Sequence, residues 1–371
     1  MVVAQDRADR VIRIVTLRER LLGLIAQNGP MTVAQYMASA LYDPTGGYYA
    51  RRAMLGAGGD FITAPEVSQM FGELVGLWCA QSWMDMGSPA PFHLIELGPG
   101  TGALMRDARR ATQIVPGFGD ATQISLVEFS AGLRERQIAA IGADATWVTR
   151  LEDVAKGPAI IVGNEFLDCL PIRQFVRAPD SWRERLVGVD ADGELTFGLA
   201  PEALETVAPI PIQLRAAPEG SVAEIAPALP AFIAQLAARL RTHGGRALFT
   251  DYGTPTTTAG DSLQAVREHL KVGPLDTPGG ADLTAHVDFA TLAALARAAG
   301  LDVAGPRSQG AWLRALGMDA RAAALAKARP DKAGTIARQH ARLTAPDEMG
   351  ELFQAICLST PGLPAPAGFE P

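Results

Sequence analysis

Residues 92–103, with the sequence FHLIELGPGTGA, restrict the possible fold of this chain more than any other stretch. The apolar run Phe92–Leu97 predicts a buried strand, and residues 103–110 are good helix formers. Gly98, Gly100 and Gly102 allow a sharp backbone turn between the two elements. A strand, a glycine turn and a helix N-terminus form a corner that binds small molecules in open α/β sheets.

The glycine turn alone leaves its ligand open. Gly98, Gly100 and Ala103 satisfy the dinucleotide pattern G-x-G-x-x-G/A, which favours a nicotinamide cofactor. A tight strand–helix turn that binds nothing is a second reading. S-adenosylmethionine is a third, because its binding corner has the same arrangement of strand, glycine turn and helix.

Two acidic residues favour S-adenosylmethionine. Glu96 precedes the turn, where a carboxylate would repel a pyrophosphate but hold a cationic or hydroxylated ligand. Glu128 ends the next predicted strand, about 30 residues beyond Gly98, whereas the dinucleotide acid is expected about 20 residues on. We therefore predict Gly98, Pro99 and Gly100 under the methionine part, Glu128 on the ribose hydroxyls, and Glu96 bracing the turn.

Composition excludes several other classes. The 371 residues are 48% hydrophobic and 20% charged, as in ordinary globular proteins, and the net charge of −7 argues against a nucleic-acid partner. Cys79, Cys169 and Cys357 are far apart, so neither a disulfide framework nor a metal site is expected, and a reducing compartment fits. No apolar run approaches the length of a membrane span.

The first 90 residues are expected to be mostly helical. One helix should end at Gly29, and a capping box of Thr32 and Gln35 should open a second. A third helix is predicted over 65–86.

An alternating βα pattern then indicates a parallel sheet. Strands are expected at 92–97, 122–128, near 146, and at 159–163, 246–250 and 301–304. Two segments interrupt this pattern. Residues 172–215 read as inserted antiparallel strands, and 253–285 form a long excursion with a short helix near 262–270. The C-terminal part reads as helical and ends in a mobile, proline-rich tail.

Asn164, Glu165 and Asp168 are the best catalytic candidates, because they follow the core strand 159–163. Two carboxylates near a methyl donor would orient a planar guanidinium acceptor and remove positive charge as its nitrogen attacks. The alternative is structural: Asn164 and Asp168 would cap a short helix.

Several weaker candidates remain. Thr63 and Glu66 form a capping-box pattern around Pro65, which read alone favours a structural role. Tyr252 follows the core strand 246–250, and His286 is a possible base. Both are weaker candidates for substrate contact.

Several segments together resemble the MidA-type methyltransferase family, related to mitochondrial complex I assembly methyltransferases. The resemblance covers the chain from about residue 15 to the tail, and its segments are 59–73, 96–102, 164–171, 251–253, 282–289 and 346–353. It implies a class I, Rossmann-like α/β methyltransferase with a seven-stranded sheet that uses S-adenosyl-L-methionine. It also implies that 59–73 covers the donor, so Asp60, Thr63, Pro65 and Glu66 become cofactor-site candidates. Ala64 and Cys169 depart from the family pattern, which usually has Ser and Ala there.

The resemblance further implies arginine methylation of a protein substrate, a respiratory complex I subunit, during assembly. A non-catalytic assembly factor that binds the donor and a small-molecule methyltransferase are the alternatives. We expect residues 1–90 to be a helical extension with the donor-covering loop, and 91–371 to be the methyltransferase domain. The expected location is the cytoplasm of a bacterium, or the mitochondrial matrix in a eukaryote. The oligomeric state is not predicted.

Overall fold

The computed structural model describes residues 15–51 and 63–370. The α-helices are α1 Leu17–Asn28, α2 Val33–Tyr42, α3 Tyr48–Arg51, α4 Ala64–Val67, α5 Gln69–Asp85, α6 Ala103–Thr112, α7 Phe118–Ala121, α8 Ala131–Ile141, α9 Leu229–His243, α10 Phe289–Ala298, α11 Gln309–Ala315, α12 Met318–Ala328 and α13 Ala333–Thr344. The strands are β1 Met31–Thr32, β2 Phe92–Leu97, β3 Thr122–Val127, β4 Thr146–Val148, β5 Ala159–Asn164, β6 Arg173–Arg177, β7 Trp182–Val189, β8 Leu195–Leu199, β9 Val222–Ile225, β10 Gly245–Thr254, β11 Gln264–Arg267, β12 Leu270–Val272, β13 Asp282–Thr284, β14 Val287–Asp288, β15 Asp302–Ser308 and β16 Phe353–Ser359.

The central sheet has the strand order β4-β3-β2-β5-β10-β16-β15, and the short β14 also pairs with β10. The neighbours from β4 to β10 are parallel, whereas β16 is antiparallel to both β10 and β15. Every residue of β2 and β5 is buried, as expected for a parallel sheet covered on both faces. The predicted α/β class and its seven-stranded sheet are confirmed.

Alternate residues of β2 face opposite sides of the sheet and pack into two different apolar clusters. Phe92 and Leu94 belong to the apolar cluster that contains α5 and α6, and Ile95 and Leu97 belong to the cluster that contains α9 and α10. Glu96 lies between these residues, at the carboxyl end of the strand. Both faces of β2 are therefore covered by apolar layers, and the strand carries an acid near its carboxyl end.

The N-terminal helices α1 and α2 pack on the inserted strands. Both helices begin with a capping box, and the box of Thr32 and Gln35 is the predicted one. Leu21 of α1 shares a buried cluster with Val187 of β7 and Leu283 of β13. Two small sheets form beside the central sheet, β1-β7-β6-β9 with β8 on β7, and β12-β11-β13. The strands β6, β7 and β8 lie within 172–215 and are antiparallel as predicted, whereas β9 lies beyond this range.

One predicted helix is interrupted at a single residue, and another is wrong. The single helix over 65–86 is broken at Ser68, whose extended backbone lets its hydroxyl cap α5 at the Met70 N–H. The short helix near 262–270 is instead the hairpin of β11 and β12, with Glu268 and His269 at positive φ in its turn. Pairing of β11 with β13 overrides the local helical preference there.

The C-terminal part also departs from the expectation. It contains β16, whose seven residues are all buried between β10 and β15. The tail that follows is docked rather than mobile. Trp78 Nε1 donates to the Ala367 carbonyl at 3.1 Å, and the fully buried Arg246 donates to the Pro364 carbonyl. The tail carbonyls thus pair the buried Trp78 indole N–H and Nη2 of Arg246, whose Nη1 pairs with Asp85.

Candidate active site

A cavity of about 610 Å³ lies at the carboxyl ends of β2, β3, β5 and β10. In the sheet, β3 and β4 lie on one side of β2, whereas β5 and β10 lie on the other. The strand order therefore reverses at β2, and the cavity lies at this switch point. Its lining includes these predicted site residues: Thr63, Pro65, Glu66, Glu96, Gly98, Pro99, Gly100, Glu128, Asn164, Glu165, Asp168 and Tyr252.

Two predicted site residues are not placed in this cavity. Asp60 lies outside the described residues. His286 is exposed and lines a second, smaller cavity of about 170 Å³ that Asp168 also borders. Its ring meets the edge of Tyr252, with 5.3 Å between the ring centres. The structure therefore keeps His286 outside the larger cavity.

The glycine turn requires left-handed backbone at Gly98 (φ +61°) and Gly100 (φ +52°). A Cβ on Gly98 would lie 3.2 Å from Phe166 Cδ2, which is tighter than ordinary packing. A Cβ on Gly100 would meet nothing within 4 Å among the described residues. The turn therefore needs glycine for its conformation, and it leaves free space beside the backbone at residue 100.

Gln137 joins this turn to Glu128. Its Nε2 donates to the Gly100 carbonyl at 2.9 Å and to Glu128 Oε2 at 2.8 Å, and its Oε1 accepts from Trp147 Nε1 at 2.9 Å. Glu128 Oε1 also accepts the Ser130 N–H at 2.6 Å. Sequence reasoning missed Gln137. Its signal was a polar side chain on the buried stripe of α8, between Leu133 and Ile141.

Glu96 does not brace the turn as predicted. Its Oε2 is buried and has no hydrogen-bond partner within 15–51 and 63–370. Burial, together with the nearby Glu128, raises the pKa of Glu96 to about 8. The bracing role belongs to Gln137, and Glu96 instead offers an unpaired carboxyl oxygen to the cavity.

The capping box predicted at Thr63 is absent, because the Thr63 side chain makes no capping hydrogen bond to α4. Glu66 reaches the glycine turn instead, where its Oε1 accepts from Thr101 Oγ1 at 2.9 Å. Glu66 Oε2 is buried without a partner in the described chain, and burial raises its pKa. The helix α4 therefore supplies a second unpaired carboxyl oxygen to the donor corner.

Asp251 holds the loop that carries the acceptor-side candidates. Its Oδ2 accepts the N–H groups of residues 166, 167 and 168 at 2.8–3.2 Å. Residues 164–168 form no helix, so the alternative reading of Asn164 and Asp168 as helix caps is wrong. Glu165 has φ +49°, a strained conformation for a non-glycine residue that often marks a functional site.

Glu165 is held in place through one of its two oxygens. Oε1 accepts the Ala64 N–H at 2.9 Å and Asn164 Nδ2 at 3.0 Å, and Asn164 Oδ1 accepts from Thr250 Oγ1 at 2.8 Å. Ala64 contributes its backbone N–H. The hydrogen bond to Glu165 therefore does not need the serine hydroxyl that the family usually has at this position. Glu165 Oε2 has no hydrogen bond among the described residues, so it is available to a ligand.

The pKa values of both acceptor-side acids are raised. Burial, with a contribution from Asp251, raises the pKa of Glu165 to about 7. Burial, with repulsion from Asp282 and Glu165, raises the pKa of Asp168 to about 8. Acids with such values are found where a proton must be exchanged near neutral pH.

Three further polar residues line the acceptor end and were not predicted as site residues. Tyr42 and Tyr49 come from the N-terminal helices, and their rings stack with 5.6 Å between centres. Asp282 comes from β13. The sequence at 42–49, with Pro44 and two glycines, is typical of a turn and carries no local signal of a binding role. Only the packing of α2 and α3 against the inserted strands brings these residues to the sheet edge.

Within the part of the chain that the structure describes, no group of His, Cys, Asp and Glu residues is arranged to hold a metal ion. No helix there is long and apolar enough to cross a bilayer.

An α/β sheet with a glycine corner and acidic groups at its switch point is an arrangement that binds a nucleotide-like ligand. The chain belongs to a family of S-adenosyl-L-methionine-dependent methyltransferases, whose model matches residues 74–307. The predicted enzyme class and cofactor are confirmed.

Two relatives carry the name protein arginine methyltransferase NDUFAF7, mitochondrial. The one from Danio rerio is 35% identical, covering 91% of this chain and 86% of its own length. The one from Homo sapiens is 34% identical, covering 93% and 83%. A Burkholderia thailandensis crystal structure bound to S-adenosyl-homocysteine is also similar. It has a TM-score of 0.82 and 29% identity, and the match covers 95% of this chain and 93% of that one.

Proposed function

We propose that this protein transfers a methyl group from S-adenosyl-L-methionine to arginine side chains of a protein substrate. The observation that carries the proposal is the charge of the cavity. Among the described residues, six carboxyl groups line it against two guanidinium groups: Glu66, Glu96, Glu128, Glu165, Asp168 and Asp282 against Arg150 and Arg342. Such a lining favours cationic ligands, and both the donor and an arginine carry positive charge.

The donor fits the corner around the glycine turn. The buried, unpaired oxygens of Glu66 and Glu96 suit a ligand with ammonium and hydroxyl groups, and the space beside Gly100 lets it approach the backbone. Gly98, Pro99, Gly100, Thr63 and Pro65 would line this ligand, and Glu128 would accept from its ribose hydroxyls. When bound, the donor supplies a methyl group on a positively charged sulfur.

Glu165, Asp168 and Asn164 are the proposed catalytic residues. Glu165 Oε2 and the Asp168 carboxylate would accept N–H groups of the guanidinium and fix its plane. Asn164 would keep Glu165 in place. As the new N–C bond forms, Asp168 takes the proton that the attacking nitrogen must lose. Tyr252, buried beside this loop, would limit the space around the guanidinium.

We propose a respiratory complex I subunit as the protein substrate. The family resemblance supports this identity, and the relatives named above are protein arginine methyltransferases. The inserts at 172–215 and 253–285 would shape the groove for the polypeptide, and residues 1–90 would form the extension to the methyltransferase domain at 91–371. The mitochondrial names of the relatives support a matrix location in a eukaryote, and a bacterial protein would act in the cytoplasm.

Transfer of a radiolabelled methyl group to arginine-containing peptides from complex I subunits tests the proposal. We expect labelled methylarginine with the wild-type protein, and kcat/KM that rises with pH between about 6 and 9. This sign follows because Glu165 and Asp168 act as carboxylates, and their pKa values are raised to about 7 and about 8.

The variant Glu165→Gln should lower kcat at least a hundredfold, as expected for loss of a group that contacts the acceptor. Glu135→Gln, on the exposed face of α8, is the control. Donor binding without methylarginine in any subunit would instead support a non-catalytic assembly factor. Labelling of small molecules alone would support a small-molecule methyltransferase. Mass spectrometry of complex I from a deletion strain identifies the modified arginine.

A further inference from the structure

Four side chains at the acceptor end form a continuous hydrogen-bonded chain. Cys169 Sγ lies 3.2 Å from Asp168 Oδ1 and 2.8 Å from the Tyr49 hydroxyl oxygen. That hydroxyl lies 3.3 Å from Asp282 Oδ1. All four residues line the larger cavity. Two carboxyl groups are thus connected through one thiol and one phenol.

The two middle groups stay neutral and can each accept one hydrogen bond while donating another. Burial raises the pKa of the Cys169 thiol and of the Tyr49 phenol well above their ordinary values, so both keep their protons at neutral pH. Either the Cys169 sulfur or the Tyr49 oxygen can be the donor of the contact that joins them. The chain can therefore point its hydrogens toward Asp168 or toward Asp282.

We propose that in this chain, which has Cys169 where the family usually has alanine, Asp168 passes the proton it takes from the acceptor to Asp282 through Cys169 and Tyr49. The inference rests on the proposed function. The Asp168 proton moves to Sγ, the thiol proton moves to the Tyr49 oxygen, and the phenol proton moves to Asp282 Oδ1. One proton is transferred in total, and nothing is oxidised or reduced. Asp168 is again a carboxylate while the methylated guanidinium is still bound.

Several ionisable groups surround Asp168, so its protonation depends on theirs. Asp168 faces Asp282 and Glu165 as well as Asp251, and the partly buried Tyr42 and the buried Tyr252 lie beside it. A carboxylate among other acids gains or loses a proton in step with its neighbours. A hydrogen-bonded chain to a second carboxyl group lets the proton leave without solvent entering the cavity.

The test is kcat for methyl transfer to an arginine peptide over many turnovers, because the relay restores the Asp168 carboxylate after the methyl group has moved. We expect Cys169→Ala and Tyr49→Phe each to lower this rate about tenfold or more, with the Kd for S-adenosylhomocysteine unchanged. Cys169→Ser keeps a group that donates and accepts, so it should recover most of the rate lost in Cys169→Ala. Cys357→Ala, a buried cysteine of β16, is the control. A full rate in Cys169→Ala, or an equal loss in Cys169→Ser, would overturn the proposal.

Infrared spectroscopy of the free protein gives a second readout that needs no substrate. The S–H stretching band that disappears in Cys169→Ala belongs to Cys169. It should shift as the pH passes through the titration of Asp168, and it should also shift in Tyr49→Phe. A band that is insensitive to both would refute the chain. An inactive wild-type protein with a responsive band would refute only the proposed function.

Discussion

Glu96 is a buried carboxyl group whose Oε2 has no partner among the described residues, and its pKa is raised to about 8. The folded state therefore binds this proton more tightly than the unfolded state, in which the pKa is about 4.5. Stability should fall as pH rises from about 5 to 8. Glu96→Gln should reduce this slope, to which Glu165 and Asp168 also contribute, and should raise stability above pH 8 by a few kcal/mol at most.

Urea denaturation of the donor-free protein at a series of pH values measures the effect. Glu135→Gln, an exposed substitution on α8, should leave the slope as it is. An unchanged slope in Glu96→Gln would show that Glu96 is already ionised or paired in the folded protein.

Gly100→Val tests the donor corner. Valine is strained at φ +52° and its side chain would project beside the turn, so the Kd for S-adenosylmethionine should rise at least tenfold. Isothermal titration calorimetry measures this. Gly193→Val is the matched control, since Gly193 also has positive φ and open space but lies in the hairpin between β7 and β8. It should cost similar stability and leave the Kd unchanged. Equal loss of binding in both variants would refute the assignment.

Single site residues were predictable where they follow a core strand. Glu128, Asn164, Glu165 and Asp168 were found because the carboxyl ends of parallel strands meet at one edge. Asp282 was not assigned to the site, because it comes from an insert whose position depends on packing. The unpaired oxygen of Glu96 was also not predicted, since hydrogen-bond partners cannot be read from spacing.

At the scale of the elements, the carboxylate of Glu73 connects the three helices α5, α6 and α12 through hydrogen bonds. Glu73 of α5 accepts hydrogen bonds from Arg110 of α6 at 2.9 Å and from Arg321 of α12 at 2.8 and 3.0 Å. These guanidinium groups lower the pKa of Glu73, so its stabilisation is present above about pH 4.5 and is lost as the pH falls through the lowered value.

Glu73→Gln should therefore lower the free energy of unfolding by about 1–2 kcal/mol at pH 7. This value is below the cost of breaking a fully buried ion pair, because both arginines are partly exposed and water screens their charges. Thermal denaturation at pH 7 and at pH 4 measures the change, which should shrink at the lower pH. Asp331→Asn, which removes an exposed pair with Arg329, should have no measurable effect. A loss that is the same at both pH values would contradict the ionic explanation.

Element prediction failed where pairing partners are distant in sequence. The run Phe353–Ser359 is apolar, but only its position between β10 and β15 makes it a strand. The break at Ser68 is instead a local feature. The extended backbone of Ser68 separates α4 from α5, and its hydroxyl caps α5. Helices with capping boxes, such as α2, were predicted well because their signals lie within a few residues.

At the scale of the whole molecule, the N-terminal layer and the central sheet contribute different parts of the cavity. The donor corner is built on β2 and β3, whereas Tyr42 and Tyr49 come from the N-terminal layer. Leu21→Ala, at a fully buried position in that layer, should lower stability by about 2–4 kcal/mol. It should raise KM for the acceptor peptide at least threefold and leave the donor Kd within twofold.

Steady-state kinetics and calorimetry on the same preparation measure both quantities. Leu24→Ala on the same helix is the control, since Leu24 is 47% exposed and should change neither. Equal changes in acceptor KM and donor Kd would show that the N-terminal layer does not act on the acceptor end alone.

The sequence by itself determined the parallel sheet, the glycine corner and the acids that follow the core strands. These depend on short-range patterns: apolar runs, turn residues, and the rule that parallel strands end at one edge. Only the tertiary structure decided that β16 completes the sheet, that Gln137 joins the turn to Glu128, and that Tyr49 and Asp282 meet Asp168. Each of these depends on burial and pairing between segments distant in the chain, and a linear pattern does not record which buried polar groups meet.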